Sequence, residues 1–593
     1  MAKVRNLGLI ILGIVSACFL LGEAKAQNLP IFLDGRFDDW FNITTQYEDN
    51  VGDTNSAFGI DLLNFSVTNN KDYLFIQLDL NQDIKLVEDN ELFLYLDTDE
   101  NPQTGKNING IGAEVGIDFG NRLVYMYPNN SLFTYDLDRI GYRSLPTTSG
   151  YTHEIALSRN TLMPDNNTLV FLNSSIKVLF KDENTTNGDS MPDNGSVFTY
   201  TFEDNPVEVD AHINIEREES HHLRLMTYNV LHNGLTDGSR VSRFRRIIQA
   251  TVPDIITFNE CWDVTAGQAK GFMDNILPLS TDFGWHTEKL DDGNITASRY
   301  PILQSWQVSP GRRITASLIE LPRSIFSKDI LVINAHFKCC GNGDSQRQGE
   351  ADAFAAFIQD AKTTGGRIDL PENTPFILAG DLNLVGASQQ LTTILEGDIV
   401  SNFIYGEDAP LDWDNTDLED VISPQTGDYM AFTWLGEGSN FPAGRLDFMI
   451  HSNSVLDVKK AYTINTNSMS PQDLDYYGLN ASDTDIASDH LPKVTDFEMP
   501  VTTDIASINT ALQLQVQPNP FNKMVKITYQ TEELEELQWE VFNATGQIVW
   551  QSNTKTANGN FDLSNTLTES GVYLLKVSNT KTQTFKTLRL LKL

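Results

Sequence analysis

The sequence of 593 residues predicts a multidomain protein, an α/β sandwich domain flanked by two all-β sandwich domains. Three observations carry this prediction. Residues 28–204 alternate apolar and polar side chains in LLNFSVTNN, DYLFIQLDL and ELFLYLDTD, the period of half-buried strands, with turns rich in Asn, Asp and Gly between them. From 223 to 498, apolar strand-like runs alternate with helix-period segments such as SRFRRIIQATV and GEADAFAAFIQDA, the pattern of an α/β domain. From 511 to 593 short strands return in LQLQVQPNPF, KMVKITYQ, LQWEVFNATGQIVWQ, GVYLLKVSN and TFKTLRLLKL. A chain of this length also exceeds what one hydrophobic core supports.

The boundaries follow from composition. Residues 1–26 open on Lys3 and Arg5, run through LGLIILGIVSACFLLG and close on Ala24-Lys25-Ala26 before Gln27, which reads as a signal peptide with an A-x-A cleavage site. The apolar run is at the short end for a membrane anchor. Val15-Ser16-Ala17-Cys18 has the form of a lipobox, but the apolar stretch continues past the cysteine. Domains are then expected at 27–204, 222–498 and 511–593. Linkers are expected at 205–221, where NPVEVDAHINIEREESH is charged and aperiodic, and at 499–510. No later segment is apolar for about 18 residues, so no transmembrane segment is expected in the mature chain.

The formal net charge of -38 favours solubility and divalent cations and opposes long-range attraction to polyanions. Within the middle domain nearly all of the acidic excess lies after Asp381. A nucleic acid would therefore meet the first half, where Arg240, Arg243, Arg245 and Arg246 cluster, although helical arginines usually form a solvated face. Cys261, Cys339 and Cys340 remain after export, which permits disulfides. A bridge from Cys261 to Cys339 or Cys340 would pin two loops together, and a vicinal Cys339–Cys340 ring is the alternative.

The middle domain carries a series of polar residues at the ends of apolar runs: Asn229 in LRLMTYNV, Glu260 in PDIITFNE, His336 in ILVINAHF, Asp381 and Asn383 in PFILAGDLN, Asp447 in GRLDFMI and Asp489–His490 in SDHLP. Such runs suggest buried strands delivering reactive groups to a sheet edge. Six in a row are hard to reconcile with packing alone, because buried Asp, Glu and His are costly unless paired or metal-bound.

This series, with GNITASRYPI at 293–302, resembles the endonuclease/exonuclease/phosphatase superfamily, which includes DNase I-like nucleases, neutral sphingomyelinases and inositol polyphosphate phosphatases. The resemblance implies a DNase I-like fold and a phosphodiesterase dependent on Mg²⁺, with Mn²⁺ or Ca²⁺ as alternatives. It implies Glu260, Asn229 and Asp489 at the metal, and Asp381 orienting or activating the attacking water. Asn383 and His336 would bind the phosphate, His490 would act as base or as donor to it, and Asp447 would orient His490. The leading expectation is an extracellular nuclease acting on DNA or RNA. A phospholipid phosphodiesterase or phosphomonoesterase is second, and a glycan-binding surface protein third.

The opening LDGRFDDWFNI, the later YLFIQLDL and LFLYLDTDENPQTG with GAEVGIDF resemble the β-sandwiches related to family 9 carbohydrate-binding modules, which implies a glycan partner. The alternative is a structural spacer. Asp97, Asp99 and Asn101 stand at alternate positions, a spacing that suits Ca²⁺. QPNPF, VFNATGQIV and ESGVYLLKV with the basic apolar tail resemble the C-terminal sorting domain of the type IX secretion system. That implies the secretion machinery as partner, passage across the outer membrane and removal of the domain afterwards.

Overall fold

The computed structural model describes residues 30–54, 59–184, 188–280, 284–436, 439–499, 513–530, 536–543, 547–564, 566–567, 569–579 and 585–592. The expected signal peptide, and all but the first residue of the expected linker at 499–510, lie outside the described residues. The chain forms two compact units, one ending at Glu498 and one beginning at Met499. Among the described residues no helix is long and apolar enough to cross a membrane.

The first unit opens with a β-sandwich. One sheet orders Gln46–Glu48, Leu62–Asn69, Tyr73–Ile84, Gly150–Ser158 and Arg143–Leu145. The other runs from Ser190–Met191 through Ser175–Asp182, Leu92–Asp97, Val115–Asp118 and Leu123–Met126 to Phe133–Asp136, with Phe198–Thr201 also on Ser175–Asp182. The alternation legible in the sequence places Phe65, Ile76, Leu78, Leu94 and Phe180 in one core between the sheets.

Two six-stranded sheets form the α/β region. The first orders His286–Glu288, Ile295–Ser298, Ile255–Asn259, Leu223–Asn229, Lys493–Glu498 and Asp457–Thr463. The second orders Ile302–Gln307, Ile314–Ile319, Ile330–His336, Phe376–Asp381, Asp447–His451 and Glu419–Asp420. Alternate residues face opposite ways. Met226, Tyr228, Ile256 and Phe258 pack with Phe244, Ile248 and Met273 of the helices Val241–Thr251 and Ala266–Ile276. On the second sheet Leu331, Ile333, Leu378 and Ile450 pack with Phe354 and Ile358 of Asp344–Lys362. Strands covered on both faces explain why these runs read as continuously apolar.

Leu223–Asn229 and Ile255–Asn259 are parallel, as are Ile330–His336 and Phe376–Asp381, while Lys493–Glu498 and Asp447–His451 are antiparallel to their neighbours. The ends of the first four and the starts of the last two therefore meet at one edge. That edge receives Asn229, Glu260, His336, Asp381, Asp447 and His490.

The expected linker at 205–221 packs against the α/β region. Ile215 is fully buried in the first-sheet core, and its carbonyl accepts from Arg224 Nη1 at 2.9 Å. Arg224 pairs bidentately with Asp496 on the adjacent strand, at 2.6 Å for both contacts, with both side chains out of solvent. The second unit, described by itself, has a sheet of Gln513–Gln517, Lys526–Gln530 and Asn558–Asp562. Its other sheet orders Ile548–Thr554, Leu537–Phe542, Gly571–Asn579 and Phe585–Lys592, around Trp539, Tyr529 and Leu575.

Arg224→Ala removes one partner of a buried ion pair and strands Asp496, so it is expected to lower stability by about 3–5 kcal/mol, read as a drop in denaturation midpoint.

Candidate active site

Each site residue owes its position to the backbone around it. Gly380 lets Phe376–Asp381 approach its parallel neighbour, since a Cβ there would lie 1.8 Å from the Ala335 carbonyl oxygen. Asp381 follows in register with His336 on one side and Asp447 on the other. Glu260 turns out of its strand at φ 60, held as Asn233 N donates to its carbonyl at 2.9 Å and His232 N to Oε2 at 3.0 Å. Asn383, at φ 48, adopts a conformation that asparagine tolerates. Its Nδ2 donates to the Phe337 carbonyl at 3.3 Å, and its own N donates to Asp381 Oδ1 at 3.0 Å.

Asp381 Oδ2 is the meeting point. Asn229 Nδ2 donates to it at 3.0 Å, His336 Nε2 lies 3.6 Å away and His490 Nε2 3.7 Å away. Behind His490, Nδ1 lies 2.8 Å from Asp447 Oδ2, and Asp447 N donates to Thr433 Oγ1 at 2.9 Å. A carboxylate on Nδ1 fixes the ring orientation and turns Nε2 towards Asp381.

Burial sets the protonation of this group. Asp381 is pushed up to about 7 by desolvation and the Asp447 carboxylate, against the pull of His490 and the bond from Asn229. Desolvation would lower His490, but Asp447 and Asp381 outweigh it and raise the ring to about 10. His336 is held well below the ordinary histidine range by burial, then by Arg313 and His490, and its Nδ1 is buried without a partner.

Of the expected metal ligands, Asn229 and Glu260 face one another and Asp489 lines the same cleft as Glu260. Asn229 Oδ1 accepts from Leu231 N at 3.0 Å and its Nδ2 faces Glu260 Oε1 at 3.3 Å, so Asn229 presents a donor to the site. Asp489 Oδ2 accepts from Trp434 Nε1 at 3.2 Å. The compact acidic group here is Asp381, Asp447 and His490, whose members are already paired with one another. Glu260, with 17% of its side chain exposed, and Asp489 line the cleft and offer the hard oxygen donors that Mg²⁺ takes. In the first domain Asp97 and Asp99 converge with Glu114; Asn101 instead accepts from Gln103 N.

Several residues of the site were not singled out from the sequence. Asn259 Nδ2 donates to Asn294 Oδ1 and Asn334 Oδ1, both at 2.9 Å, while its Oδ1 accepts from Asp381 N at 3.0 Å, joining the two sheets beneath the site. Ser488 Oγ donates to the Asn229 carbonyl at 2.8 Å. Arg313 stacks on Trp262, which in turn packs on His336. Asn259 precedes Glu260 and Asn294 lies in GNITASRYPI, so a signal was present for those two.

One expectation is corrected. Cys261 forms no bridge: it packs in the first-sheet core, with its thiol pushed up to about 12 by burial, and Cys339 and Cys340 are unbridged, with Cys340 Sγ 2.7 Å from Cys339 Sγ. Of the clustered arginines, Arg240 pairs with Asp237 and the Leu231 and Ala487 carbonyls and Arg246 with Asp483, while Arg243 donates to the Ser239 carbonyl and Ser242 Oγ and Arg245 is exposed.

Residues 226–490 match the family model described as the Endonuclease/Exonuclease/phosphatase family, and residues 515–590 match the Secretion system C-terminal sorting domain. The α/β region therefore carries that family's domain. The sorting domain marks the chain for export to the cell surface or beyond. Among solved structures, truncated Caenorhabditis elegans TDP2 is similar at 14% identity over 46% of this chain and 97% of its own, with a TM-score of 0.30. ANGEL2, a 2′,3′-cyclic phosphatase, is similar at 15% identity over 47% and 96%, with a TM-score of 0.32. The AP endonuclease LMAP from Leishmania major is similar at 12% identity over 47% and 88%, with a TM-score of 0.28. No curated protein matches the chain.

Asp447→Asn removes the carboxylate on His490 Nδ1 and is expected to bring the imidazole from about 10 towards the ordinary 6.5, read by NMR titration of the ring. The stabilisation tied to this raised value is fully present below pH 6.5 and is lost as pH rises through about 10.

Proposed function

We propose that the protein is an exported, Mg²⁺-dependent phosphodiesterase that hydrolyses nucleic-acid phosphodiester bonds, with Asp381, His490, His336 and Asn383 acting on the scissile phosphate. The observation that carries this reading is the position of Asp381 Oδ2. It lies within 3.0–3.7 Å of Asn229, His336 and His490, with His490 braced by Asp447.

Hydrolysis needs a base for water and donors for the charge that builds on the phosphoryl oxygens. A carboxylate pushed up to about 7 is matched in basicity to neutral pH, which favours Asp381 as the group that takes the water proton. His490, held up to about 10 beside Asp447, is an imidazolium at neutral pH and donates Nε2–H to a phosphoryl oxygen. His336 is neutral and supplies a second ring N–H, and the Asn383 amide a third donor. Glu260 and Asp489 would hold the cation, with Asn229 bracing the Glu260 carboxylate. Bound there, a divalent cation neutralises phosphoryl charge and eases departure of the leaving oxygen.

His490→Ala and Asp381→Ala are each expected to lower kcat on bis-p-nitrophenyl phosphate by about 100-fold or more while the thermal melt stays cooperative, and EDTA should abolish the wild-type rate. Wild-type rates in either variant would overturn the assignment. With Asp381 required ionised and His490 required protonated, activity should rise with pH through about 7 and fall through about 10. Asp447→Asn should move the alkaline limb downwards.

A further inference from the structure

The cleft that holds these residues is closed on one side by the first domain. Lys85–Glu88, which follow Tyr73–Ile84, and Ser144, Pro146 and Thr147 line it together with Glu260, His336, Asp381 and His490. The contact is fixed by a shared core: Leu33 and Trp40 of the first domain pack in one buried cluster with Met430 and Phe432 of the second. Around it Lys85 Nζ donates to Asp344 Oδ2 at 2.8 Å, Ser149 N to the Gly386 carbonyl at 2.8 Å, and Arg445 N to Thr147 Oγ1 at 3.0 Å. The surfaces meet closely enough that a Cβ on Gly341 would lie 2.5 Å from Glu88 Oε1, and one on Gly444 3.2 Å from Thr147 Cγ2. A module carried only for attachment or spacing needs no such fit.

The lining is poor in cations. Away from the catalytic groups Val87, Pro146, Phe441 and Pro442 give it apolar surface beside Glu88, Ser144, Thr147 and Ser439, and among the described lining residues its sole Lys or Arg is Lys85, already paired with Asp344. Proteins that grip nucleic-acid duplexes do so chiefly through Lys and Arg on successive phosphates. The cavity measures about 330 Å³, at the small end for a ligand pocket.

We infer that the N-terminal β-sandwich is a wall of the active site that selects a phosphate ester bearing one apolar or planar group of nucleotide size. The ester enters end-on against Val87, Pro146 and Phe441, and a continuous duplex backbone is excluded. The inference rests on the phosphodiesterase reading above. Two sources present this chemistry, a small free diester and the terminal nucleotide of an unpaired strand.

The full chain is assayed on bis-p-nitrophenyl phosphate, a single-stranded oligonucleotide and the same sequence in a duplex closed by hairpins at both ends. Val87→Trp, which fills the cleft, and Val87→Ala, which widens it, are assayed alongside. Binding of thymidine 5′-monophosphate is followed by calorimetry. The small diester or the unpaired strand should turn over about ten-fold or more faster than the closed duplex. Val87→Trp should lose about ten-fold or more in kcat/KM, chiefly through KM, together with mononucleotide affinity; Val87→Ala should raise KM by a smaller factor. Stepwise shortening of the oligonucleotide identifies the strand end as the source, and turnover of the diester alone identifies the free ester; both support the wall. Equal rates on duplex and single strand, or wild-type KM and mononucleotide affinity in both Val87 variants, would overturn it. If the wild type hydrolyses no diester, the phosphodiesterase reading falls, and the wall stands only if Val87→Trp abolishes mononucleotide binding.

Discussion

The site is assembled from two sheets, so its geometry depends on what fixes one sheet against the other at that edge. The Asn259 amide does this. Its two N–H bonds reach Asn294 and Asn334, its oxygen receives the Asp381 backbone N–H, and all four groups are buried. An apolar contact here would tolerate sliding, whereas a fully paired amide permits one register and strands several buried groups if that register is lost. The backbone that carries Asp381 is thus tied to the strand that carries Glu260 one residue further on.

On that frame the electrostatics are those of mutual compensation. Asp381, Asp447, His336 and His490 are all nearly out of solvent, where any one alone would lose its charge. Asp447 supplies the negative charge that keeps His490 protonated, and His490 offsets the burial of Asp381 without cancelling it. Two imidazoles with opposite shifts stand on the same carboxylate oxygen, so one site holds a cationic and a neutral donor side by side.

The first domain enters this picture as structure. A buried cluster of Leu33, Trp40, Met430 and Phe432 joins it to the α/β region, and the segment around Ile215 is packed where a linker was expected. Rigid placement matters because residues that shape a cleft act only when held to a fraction of an ångström. The exported tail is a separate unit with its own core.

Which residues reach the shared edge of the two sheets was legible in the chain before folding. Apolar runs long enough for one strand, each ending in Asn, Glu, His or Asp, have no other economical reading, because strand period and burial are local properties of the chain. The fold class was legible for the same reason, and the sorting tail through the resemblance carried by QPNPF, VFNATGQIV and ESGVYLLKV. What those residues do to one another emerges only when the sheets pack: that Asp447 stands behind His490, that Asn229 turns its N–H to the carboxylates, and that Cys261 is core. The tertiary structure alone brought Arg313 and the loops at Lys85 and Thr147 to the site, since these meet across strands and domains far apart in the chain. Contacts of that kind depend on how sheets pack and on which charges share a low dielectric, and neither is written in the periodicity of any one segment.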